Sequence, residues 1–230
     1  MRIIGHRGAA ARAPENTLAG IRRAFADGAD AVEVDVRLTA DSVAVIVHDE
    51  SLARVAGLDA RVADLTAAEV RAAATGDRGI PTLIEAWEAA GGRIVLEIKG
   101  AWGSNEAAGA ARAVAAFLDG RDVAGTVVSC FDVTALDEFR AAGGTADTGV
   151  LTGAPVDPAD NIRMAVAGGH QICYLPVDLA SPAVIRQAHA AGKAAVVWTV
   201  NDPAAVRALA DAGADGIITD DPAAARAALG

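Results

Sequence analysis

The sequence contains little cysteine, few aromatic residues and no long apolar run. Two of its 230 residues are cysteine, and only 3% are aromatic. Cys130 and Cys173 show neither the C-x-x-C spacing of a thiolate zinc site nor a paired disulfide framework, so we interpret both as core residues. No apolar run approaches the roughly 20 residues that a membrane-spanning helix needs, which argues against a helical membrane protein.

Positive charge is also scarce. Thirty acidic residues against twenty basic ones give a formal net charge of −10, the wrong sign for a surface that binds nucleic acid or an anionic membrane. We therefore predict no nucleic-acid partner and no stable membrane association. The first residues lack the regions of a signal peptide, so the sequence predicts a cytoplasmic protein. The oligomeric state stays open.

The chain is rich in apolar residues, which make up 53% of it, enough for a large core at this length. Short β-branched runs alternate with longer alanine-rich segments of helical period, an order typical of a parallel sheet. Around eight such units predict a closed (β/α)8 TIM barrel formed by one domain, residues 1–230. The predicted strands cover residues 2–6, 31–38, 43–48, 93–99, 126–130, 148–151, 171–175, 194–200 and 216–219.

Glycine follows most of the predicted helices, at the spacing of one strand-plus-helix unit. Glycine suits the left-handed turn with which a helix commonly ends before the next strand. The glycines predicted to end helices are Gly28, Gly92, Gly120, Gly143, Gly168, Gly192 and Gly213.

One predicted strand exceeds the eight of a barrel. Only four residues separate Leu38 from Val43, too few for a parallel crossover, so strand 43–48 is expected to run antiparallel to its predecessor or outside the regular barrel. The stretch 49–80 lacks a predicted strand and contains one short helix near residues 66–73. We expect this stretch to form a small insertion over the mouth of the barrel.

Two predicted strands carry charged residues on the face that turns into the barrel. Valines alternate with Glu33 and Asp35 in one strand, and apolar residues alternate with Glu97 and Lys99 in the other. Barrel strands bury both faces, so charges within them need a function or a partner. The C-terminal mouth of a barrel is where its enzymes build their sites.

The proximity of these carboxylates implies a neutralising group. Two charges about 7 Å apart repel by about 2.4 kcal/mol at an effective dielectric of about 20. Proton uptake, an ion-pair network with Arg7 or Lys99, or a bound divalent cation would each relieve that repulsion. Ligation by carboxylates alone favours Mg²⁺ or Ca²⁺ over zinc.

Two histidines end predicted strands. His6 closes the first strand and His48 the third, so both fall beside the carboxylates. Imidazoles suit proton transfer near neutral pH, and an acid and a base on opposite sides of a substrate are what hydrolysis requires. His170 and His189 have no such company, so we interpret both as structural residues.

Eight short motifs follow one another along almost the whole chain. They are His6-Arg7-Gly8, Pro14-Glu15-Asn16-Thr17, Gly28-Ala29-Asp30 running into Glu33-Val34-Asp35-Val36, His48-Asp49, Ile80-Pro81-Thr82-Leu83, Glu97-Ile98-Lys99, Trp198-Thr199-Val200-Asn201 and Asp215-Gly216-Ile217-Ile218-Thr219-Asp220. Together they resemble the glycerophosphodiester phosphodiesterase family. The resemblance implies a (β/α)8 barrel with a small insertion, and hydrolysis of a small-molecule glycerophosphodiester to an alcohol and sn-glycerol 3-phosphate with a divalent cation.

The resemblance also implies roles for particular residues. His6 and His48 are expected to be the acid and base, and Glu33, Asp35 and Glu97 the metal ligands. Arg7 and Lys99 are expected to face the phosphate, which a cation and basic side chains must neutralise as the pentacoordinate state forms. Asn16 is expected to donate a hydrogen bond near the site. Phe131 and Trp198 are candidates for stacking on glycerol, with barrel packing an equal reading of Trp198.

The chain departs from the family pattern in two places. Asp41-Ser42 stands where an Asp-Gly turn is common, which affects hairpin geometry. Residues 54–57 replace a run usually richer in threonine, which leaves the preferred alcohol open. The nucleophile is also open, since water and the glycerol 2-hydroxyl both fit.

Three other functions compete with this interpretation. A barrel aldolase would use Lys99 as a Schiff base, although adjacent carboxylates favour the charged ammonium. A barrel that only binds phosphodiesters would not need the complete set of acidic, basic and imidazole side chains described above. A phospholipase D-like or lysophospholipid phosphodiesterase would need an exposed apolar rim, which a chain with 3% aromatic residues hardly supplies.

Overall fold

The strands of the barrel form in the order that the apolar runs predict. A computed structural model describes residues 1–153 and 155–230 of the chain. Its strands are β1 (Arg2–Gly5), β2 (Ala31–Leu38), β3 (Ala44–Ile46), β4 (Ile94–Ile98), β5 (Thr126–Cys130), β6 (Asp147–Leu151), β7 (Ile172–Pro176), β8 (Ala194–Trp198) and β9 (Gly216–Thr219).

Eight of these strands close into a parallel barrel. Around it they follow the order β1-β9-β8-β7-β6-β5-β4-β2, and a parallel pairing of β1 with β2 closes the ring. β3 pairs with β2 in the antiparallel sense, with Val36 opposite Ile46, and lies outside the ring. The predicted TIM barrel and its surplus antiparallel strand are therefore confirmed.

The helices begin where the sequence supplies a side chain that can cap them. They are α1 (Leu18–Ala26), α2 (Ala53–Ala56), α3 (Ala67–Ala73), α4 (Leu83–Ala90), α5 (Asn105–Leu118), α6 (Val133–Ala141), α7 (Pro158–Ala167), α8 (Pro182–Ala190), α9 (Pro203–Asp211) and α10 (Pro222–Leu229). A serine, threonine or aspartate accepts a hydrogen bond from the first turn of each helix except α2. Proline opens α7 to α10, where its missing N–H costs nothing. In the described part of the chain, no helix has the length and apolarity to cross a bilayer.

The predicted helix-ending glycines adopt a positive φ, with one exception. Gly168 has a φ of −82° and continues the last turn of α7, and Gly169 takes the left-handed conformation with a φ of 66°. The prediction was wrong by one residue because two consecutive glycines suit that turn equally well. Gly168 is needed for a different reason: a Cβ there would lie 2.3 Å from Nε2 of His170.

Alternation along the strands divides the core into two layers. Apolar residues of β2 and β4, such as Val34 and Leu96, pack outward against the helices. A smaller cluster fills the inside of the barrel around the buried ring of Tyr174. Gly149 on the neighbouring strand makes room for that ring, since a Cβ there would lie 2.3 Å from Cε2 of Tyr174. Both cysteines are buried free thiols, as expected.

The insertion between β3 and α4 has its own small core. Leu52, Val62, Val70 and Ile80 are among its buried residues, and they pack in one cluster with Val45 of β3. The predicted helix near residues 66–73 is confirmed as α3. The short helix α2 and the 3-10 turns at Val62–Asp64 and Gly76–Arg78 were not predicted, because elements of three or four residues are too short to show a period.

Candidate active site

Three buried carboxylates meet inside the barrel because of the register of β2 and β4. The parallel pairing sets Asp35 beside Glu97 and Glu33 beside Val95, so the three acids share the inner face of two adjacent strands. One oxygen from each of Glu33, Asp35 and Glu97 lies within 4.8 Å of the others. Their exposed fractions are only 2%, 1% and 7%. The fold thus brings together the three acids that the sequence singled out.

The three carboxylates differ in their electrostatic environment. Burial raises the pKa of Glu33, and the charge of Asp35 raises it further. Burial also raises the pKa of Glu97 more than the nearby Lys99 lowers it. Burial acts in the same direction on Asp35, but the charges of Lys99 and Arg7 outweigh it and hold the pKa of Asp35 below its usual range.

Two cations contact this carboxylate cluster. Lys99 Nζ lies 3.0 Å from Asp35 Oδ1 and is hydrogen-bonded to Glu97, and Arg7 Nε lies 3.3 Å from Asp35 Oδ2. The ion-pair network that the sequence left as an alternative is therefore present. It leaves Glu33 unpaired by a cationic side chain: its Oε2 accepts from the Arg7 amide, and its buried Oε1 has no hydrogen-bond partner in the described residues.

An unpartnered carboxylate oxygen in a cluster of three acids suits a bound cation. A buried charge without a partner is costly, and hard divalent cations take carboxylate oxygens as ligands. The donor set of Glu33, Asp35 and Glu97 contains only carboxylate oxygens. The residues present therefore fit a divalent cation, with Lys99 and Arg7 neutralising the remaining charge.

The loop between β1 and α1 contains two left-handed residues, and hydrogen bonds of Asn16 hold it against this cluster. Arg7 and Asn16 have φ angles of 49° and 56°, in the region that favours glycine and tolerates asparagine. Asn16 Nδ2 donates to Asp35 Oδ2 at 2.7 Å, and its Oδ1 accepts from the Asp35 amide at 3.2 Å. The hydrogen bond expected from Asn16 near the site therefore goes to Asp35.

Gly8 lets the same loop pass close to α1. Its φ is 89°, and a Cβ at this position would lie between 2.5 and 2.9 Å from backbone atoms of Gly20 and Ile21. Only glycine fits such an approach without moving the backbone. The glycine that follows His6 and Arg7 thus positions both of those residues at the mouth.

Each histidine at the mouth is bound to a carboxylate through Nδ1. His6 Nδ1 lies 2.6 Å from Asp220 Oδ1, and His48 Nδ1 lies 2.8 Å from Asp49 Oδ1. A carboxylate at Nδ1 orients the imidazole and leaves Nε2 for proton transfer. Asn201 holds Asp220 with a hydrogen bond of 2.6 Å, and Arg54 holds Asp49 at 2.6 Å.

The surroundings shift the pKa values of the two imidazoles in opposite directions. Burial lowers the pKa of His6, but the hydrogen bond to Asp220 and the charge of Glu33 outweigh burial and raise this pKa above its usual value. Burial lowers the pKa of His48, and the hydrogen bond to Asp49 does not compensate. In this electrostatic environment His6 favours the charged form and His48 the neutral form.

These orienting residues were not assigned a role from the sequence. Asp220 directly follows β9 and Asp49 directly follows His48, so both lie where strand ends form the barrel mouth. The signal was their position after a strand, the same signal that identified the histidines. The alternating pattern within strands could not find them because they lie beyond the strand ends.

A cavity of about 220 Å³ opens among the catalytic candidates, and we refer to it as the inner cavity. It combines a charged side with an apolar side, where the rings of Phe131 and Trp198 meet edge to face at 5.5 Å. Asn16 and Asp35 do not line it and support it from behind. Its lining residues are His6, Arg7, Glu33, His48, Glu97, Lys99, Ser129, Phe131, Leu151, Trp198 and Ile218.

A second cavity of about 550 Å³, the outer cavity, adjoins the inner one. The two cavities share His6 and Arg7, which form the boundary between them. The outer cavity is lined by His6, Arg7, Ala10, Ala11, Glu15, Asn201, Asp220 and Asp221.

The other two histidines lie outside both cavities. His170 is fully buried and bonded to Thr148 at 2.9 Å, and burial lowers its pKa to about 4. His189 on α8 contacts Asp215 at 2.8 Å. Both positions agree with the structural interpretation from the sequence.

Fold and site together define a class of protein. A closed (β/α)8 barrel whose mouth collects three acids that could hold a cation, two basic side chains and two oriented imidazoles suits the hydrolysis of a phosphate ester. The chain belongs to the glycerophosphoryl diester phosphodiesterase family, whose model matches residues 6–224, and it is thus a phosphoric diester hydrolase.

The chain is similar to known relatives over nearly its full length. The chain is 29% identical over 96% of its length to a glycerophosphodiester phosphodiesterase of Caldanaerobacter subterraneus subsp. tengcongensis, of which it covers 94%. It is similar to the crystal structure of a glycerophosphodiester phosphodiesterase of Thermotoga maritima, with 30% identity, a TM-score of 0.82, and coverage of 97% and 96% of the two chains. A phosphodiesterase of Oleispira antarctica, solved with the product sn-glycerol-3-phosphate, shares the fold at 24% identity, a TM-score of 0.87, and coverage of 100% and 96%.

Proposed function

We propose that the chain hydrolyses glycerophosphodiesters to an alcohol and sn-glycerol 3-phosphate, with a divalent cation and two-histidine acid/base catalysis. The observation that carries the proposal is the inner cavity itself. Glu33, whose Oε1 has no hydrogen-bond partner in the described residues, lines this cavity together with Glu97, Lys99 and two imidazoles that carboxylates orient. The product bound to the Oleispira antarctica phosphodiesterase supports glycerol 3-phosphate as the product here as well.

The cation that we propose is Mg²⁺ or Ca²⁺, held by Glu33, Asp35 and Glu97. Three carboxylates and no thiolate or imidazole in the cluster favour a hard cation. When bound, such an ion offsets the charge of the phosphate and stabilises the charge that develops on its oxygens. Asn16 and Lys99 hold the carboxylates in place by their contacts with Asp35 and Glu97.

Arg7 and Lys99 are proposed to bind the phosphate. Both line the inner cavity, and both favour the charged form because the pKa of each is raised. Burial lowers these pKa values, but the charges of Asp35 and of a second acid, Glu15 for Arg7 and Glu97 for Lys99, together outweigh burial. With its pKa raised, Lys99 is a poor Schiff-base nucleophile, since that chemistry needs a neutral amine. This argues against the aldolase alternative, which depends on Lys99 as the nucleophile.

Phe131 and Trp198 are proposed to contact glycerol. Their rings form the apolar side of the inner cavity together with Leu151 and Ile218. A cavity of about 220 Å³ is smaller than the roughly 300 to 1,000 Å³ of typical ligand pockets. That volume suits glycerol better than the acyl chain of a lysophospholipid, which favours the water-soluble diester over the lysophospholipid alternative.

The two histidines are proposed to divide the proton transfers. His48, neutral through its lowered pKa, removes the proton of the nucleophile, which is water or the glycerol 2-hydroxyl. The nucleophile's oxygen forms a new bond to phosphorus while the bond from phosphorus to the alcohol oxygen breaks. His6, charged through its raised pKa, gives its proton to that departing oxygen. With the 2-hydroxyl as nucleophile, water opens the resulting cyclic phosphate in a second step.

The insertion at 49–80 is proposed to form one side of the mouth. Arg54 in this insertion bonds both Asp49, the partner of His48, and Glu15, the partner of Arg7. The backbone carbonyl of His48 also accepts a hydrogen bond of 2.9 Å from Arg37. These contacts support one catalytic domain over residues 1–230. A cytoplasmic location stays a prediction from the sequence.

A substrate panel with and without metal tests the proposed function. We expect purified protein with Mg²⁺ or Ca²⁺ to release an alcohol and sn-glycerol 3-phosphate from glycerophosphodiesters. Treatment with a chelator should abolish the reaction, and the added cation should restore it, because the three carboxylates then bind a cation again. Chelator-treated protein with full activity would contradict the metal site, and no release from any diester would contradict the activity.

The opposite pKa shifts predict a bell-shaped pH profile of kcat/KM. The acidic limb should lie below pH 6.5, the usual pKa of histidine, because activity appears as His48 loses its proton. The alkaline limb should lie above it, because activity is lost as His6 loses its proton. We expect His6→Ala to remove the alkaline limb of the residual activity and His48→Ala the acidic limb. The reverse pattern would exchange the two roles.

A further inference from the structure

The boundary between the inner and outer cavities coincides with the proposed site of bond cleavage. His6 and Arg7 line both cavities, while Glu33, Glu97 and Lys99 line only the inner one. A phosphate held by Arg7 therefore has the glycerol-sized cavity on one side and the larger, more open cavity on the other. The molecule offers two spaces of different size for the two halves of a diester.

We propose that the outer cavity is the subsite for the leaving alcohol, and that Ala10 and Ala11 set the size of alcohol that it accepts. This inference rests on the proposed function. Glycerol phosphate is common to all substrates of this class and suits the small inner cavity, whereas the alcohol varies and suits the space of about 550 Å³. His6, on the boundary, can then deliver its proton to the alcohol oxygen.

The charges of the outer cavity are already paired. Glu15 contacts Arg7 at 3.0 Å and Arg54 at 2.7 Å, and Asp221 contacts Arg12 at 2.8 Å. Asp220 is bound to His6. A charged alcohol gains little from carboxylates that already face cations, so the wall favours hydrophilic alcohols in general. Size is then the property by which this subsite discriminates.

The two alanines are the smallest side chains of the outer cavity and admit the alcohol. Ala11 is exposed and lies outside the helices and strands, and its amide donates to the Asp220 carbonyl at 3.0 Å. A larger side chain at position 11 keeps that backbone hydrogen bond and projects into solvent or into the cavity. The fold therefore tolerates substitutions that reduce the space for the alcohol.

A graded series at Ala11 tests the inference. We would compare kcat/KM for glycerophosphoinositol, which has a large alcohol, with kcat/KM for glycerophosphoethanolamine, which has a small one. The ratio of the first to the second should fall through Ala11→Val, Ala11→Leu and Ala11→Trp, by at least about tenfold for tryptophan. Ala10→Leu should lower the ratio in the same direction. Circular dichroism melting curves verify that each variant is folded.

A matched control separates the cavity from a general effect of tryptophan. Ala208 is exposed on the outer helix α9, and Ala208→Trp should leave both rates unchanged. A ratio that stays constant through the Ala11 series, or equal losses on both diesters, would overturn the assignment of the alcohol to this cavity while hydrolysis itself stands. Wild-type protein that releases neither alcohol would instead refute the proposed function, before any variant is made.

Discussion

Replacing His48 with alanine should lower turnover of a glycerophosphodiester by about 10² to 10⁴-fold, the usual contribution of general acid or base catalysis. His48 lines the inner cavity, and its Nδ1 is bound to Asp49, so Nε2 is the nitrogen left to take a proton. His6→Ala should cause a loss of the same size on a natural diester, because the departing alkoxide then lacks a proton donor. Both are measured as kcat at saturating metal and substrate.

The leaving group distinguishes the two histidines. A p-nitrophenyl ester releases a stable phenolate that needs no proton, so His6→Ala should lose far less activity on that substrate than on a natural diester. His48→Ala should lose activity on both, because its proposed role concerns the nucleophile. His189→Ala is the matched control, since His189 is exposed on α8 and outside both cavities. Near-normal turnover of both active-site variants would refute these roles.

Glu33→Gln, Asp35→Asn and Glu97→Gln should each lower activity by at least about 10³-fold, because stabilisation of charge by a bound cation is worth several kcal/mol. The cation should raise the melting temperature of the wild-type protein, since a ligand that binds the folded state stabilises it, and the three variants should lose that increase. Glu138→Gln serves as the control, because Glu138 is a half-exposed residue of α6 that pairs with Arg112. This variant should keep both the activity and the increase in melting temperature.

Two of these variants, Glu33→Gln and Asp35→Asn, should change the stability of the metal-free protein in opposite directions. The raised pKa of Glu33 means that folding disfavours its charged form, so stability falls as pH rises above the usual glutamate range, and Glu33→Gln should melt higher than wild type in chelator. The lowered pKa of Asp35 means that its charged form stabilises the fold at neutral pH and that this contribution is lost on acidification. Asp35→Asn should melt lower, because Lys99 and Arg7 lose a buried partner.

The measurement is a series of thermal melts from pH 5 to pH 8 with excess chelator. The advantage of Glu33→Gln over wild type should grow as pH rises, because the unfolded chain releases the Glu33 proton above the usual glutamate range, whereas the folded protein, in which this pKa is raised to about 8, retains it. A Glu33→Gln variant that melts below wild type throughout this range would show that the buried acid stabilises the fold by itself. That outcome would remove the physical reason for placing a cation there.

Most of the fold follows from local patterns in the chain. Apolar alternation in β2 and β4 already required Glu33, Asp35 and Glu97 to face inward, because side chains alternate across a strand whatever the tertiary structure is. The antiparallel β3 followed from a connection too short for a parallel crossover. The left-handed residue after α7 was misplaced by one position because two consecutive glycines, Gly168 and Gly169, both tolerate a positive φ.

The sequence by itself determined the barrel, the inward carboxylates and the histidines at strand ends, since each follows from periodicity or from a position along one strand. Only the tertiary structure decided which charged side chains pair with one another at the barrel mouth. Asp220 lies 214 residues from His6 in the chain, and closure of the ring brings β9 beside β1. The separation of the inner cavity from the outer cavity was likewise decided there, because both are bounded by loops from distant parts of the chain, and no local pattern encodes contacts between such loops.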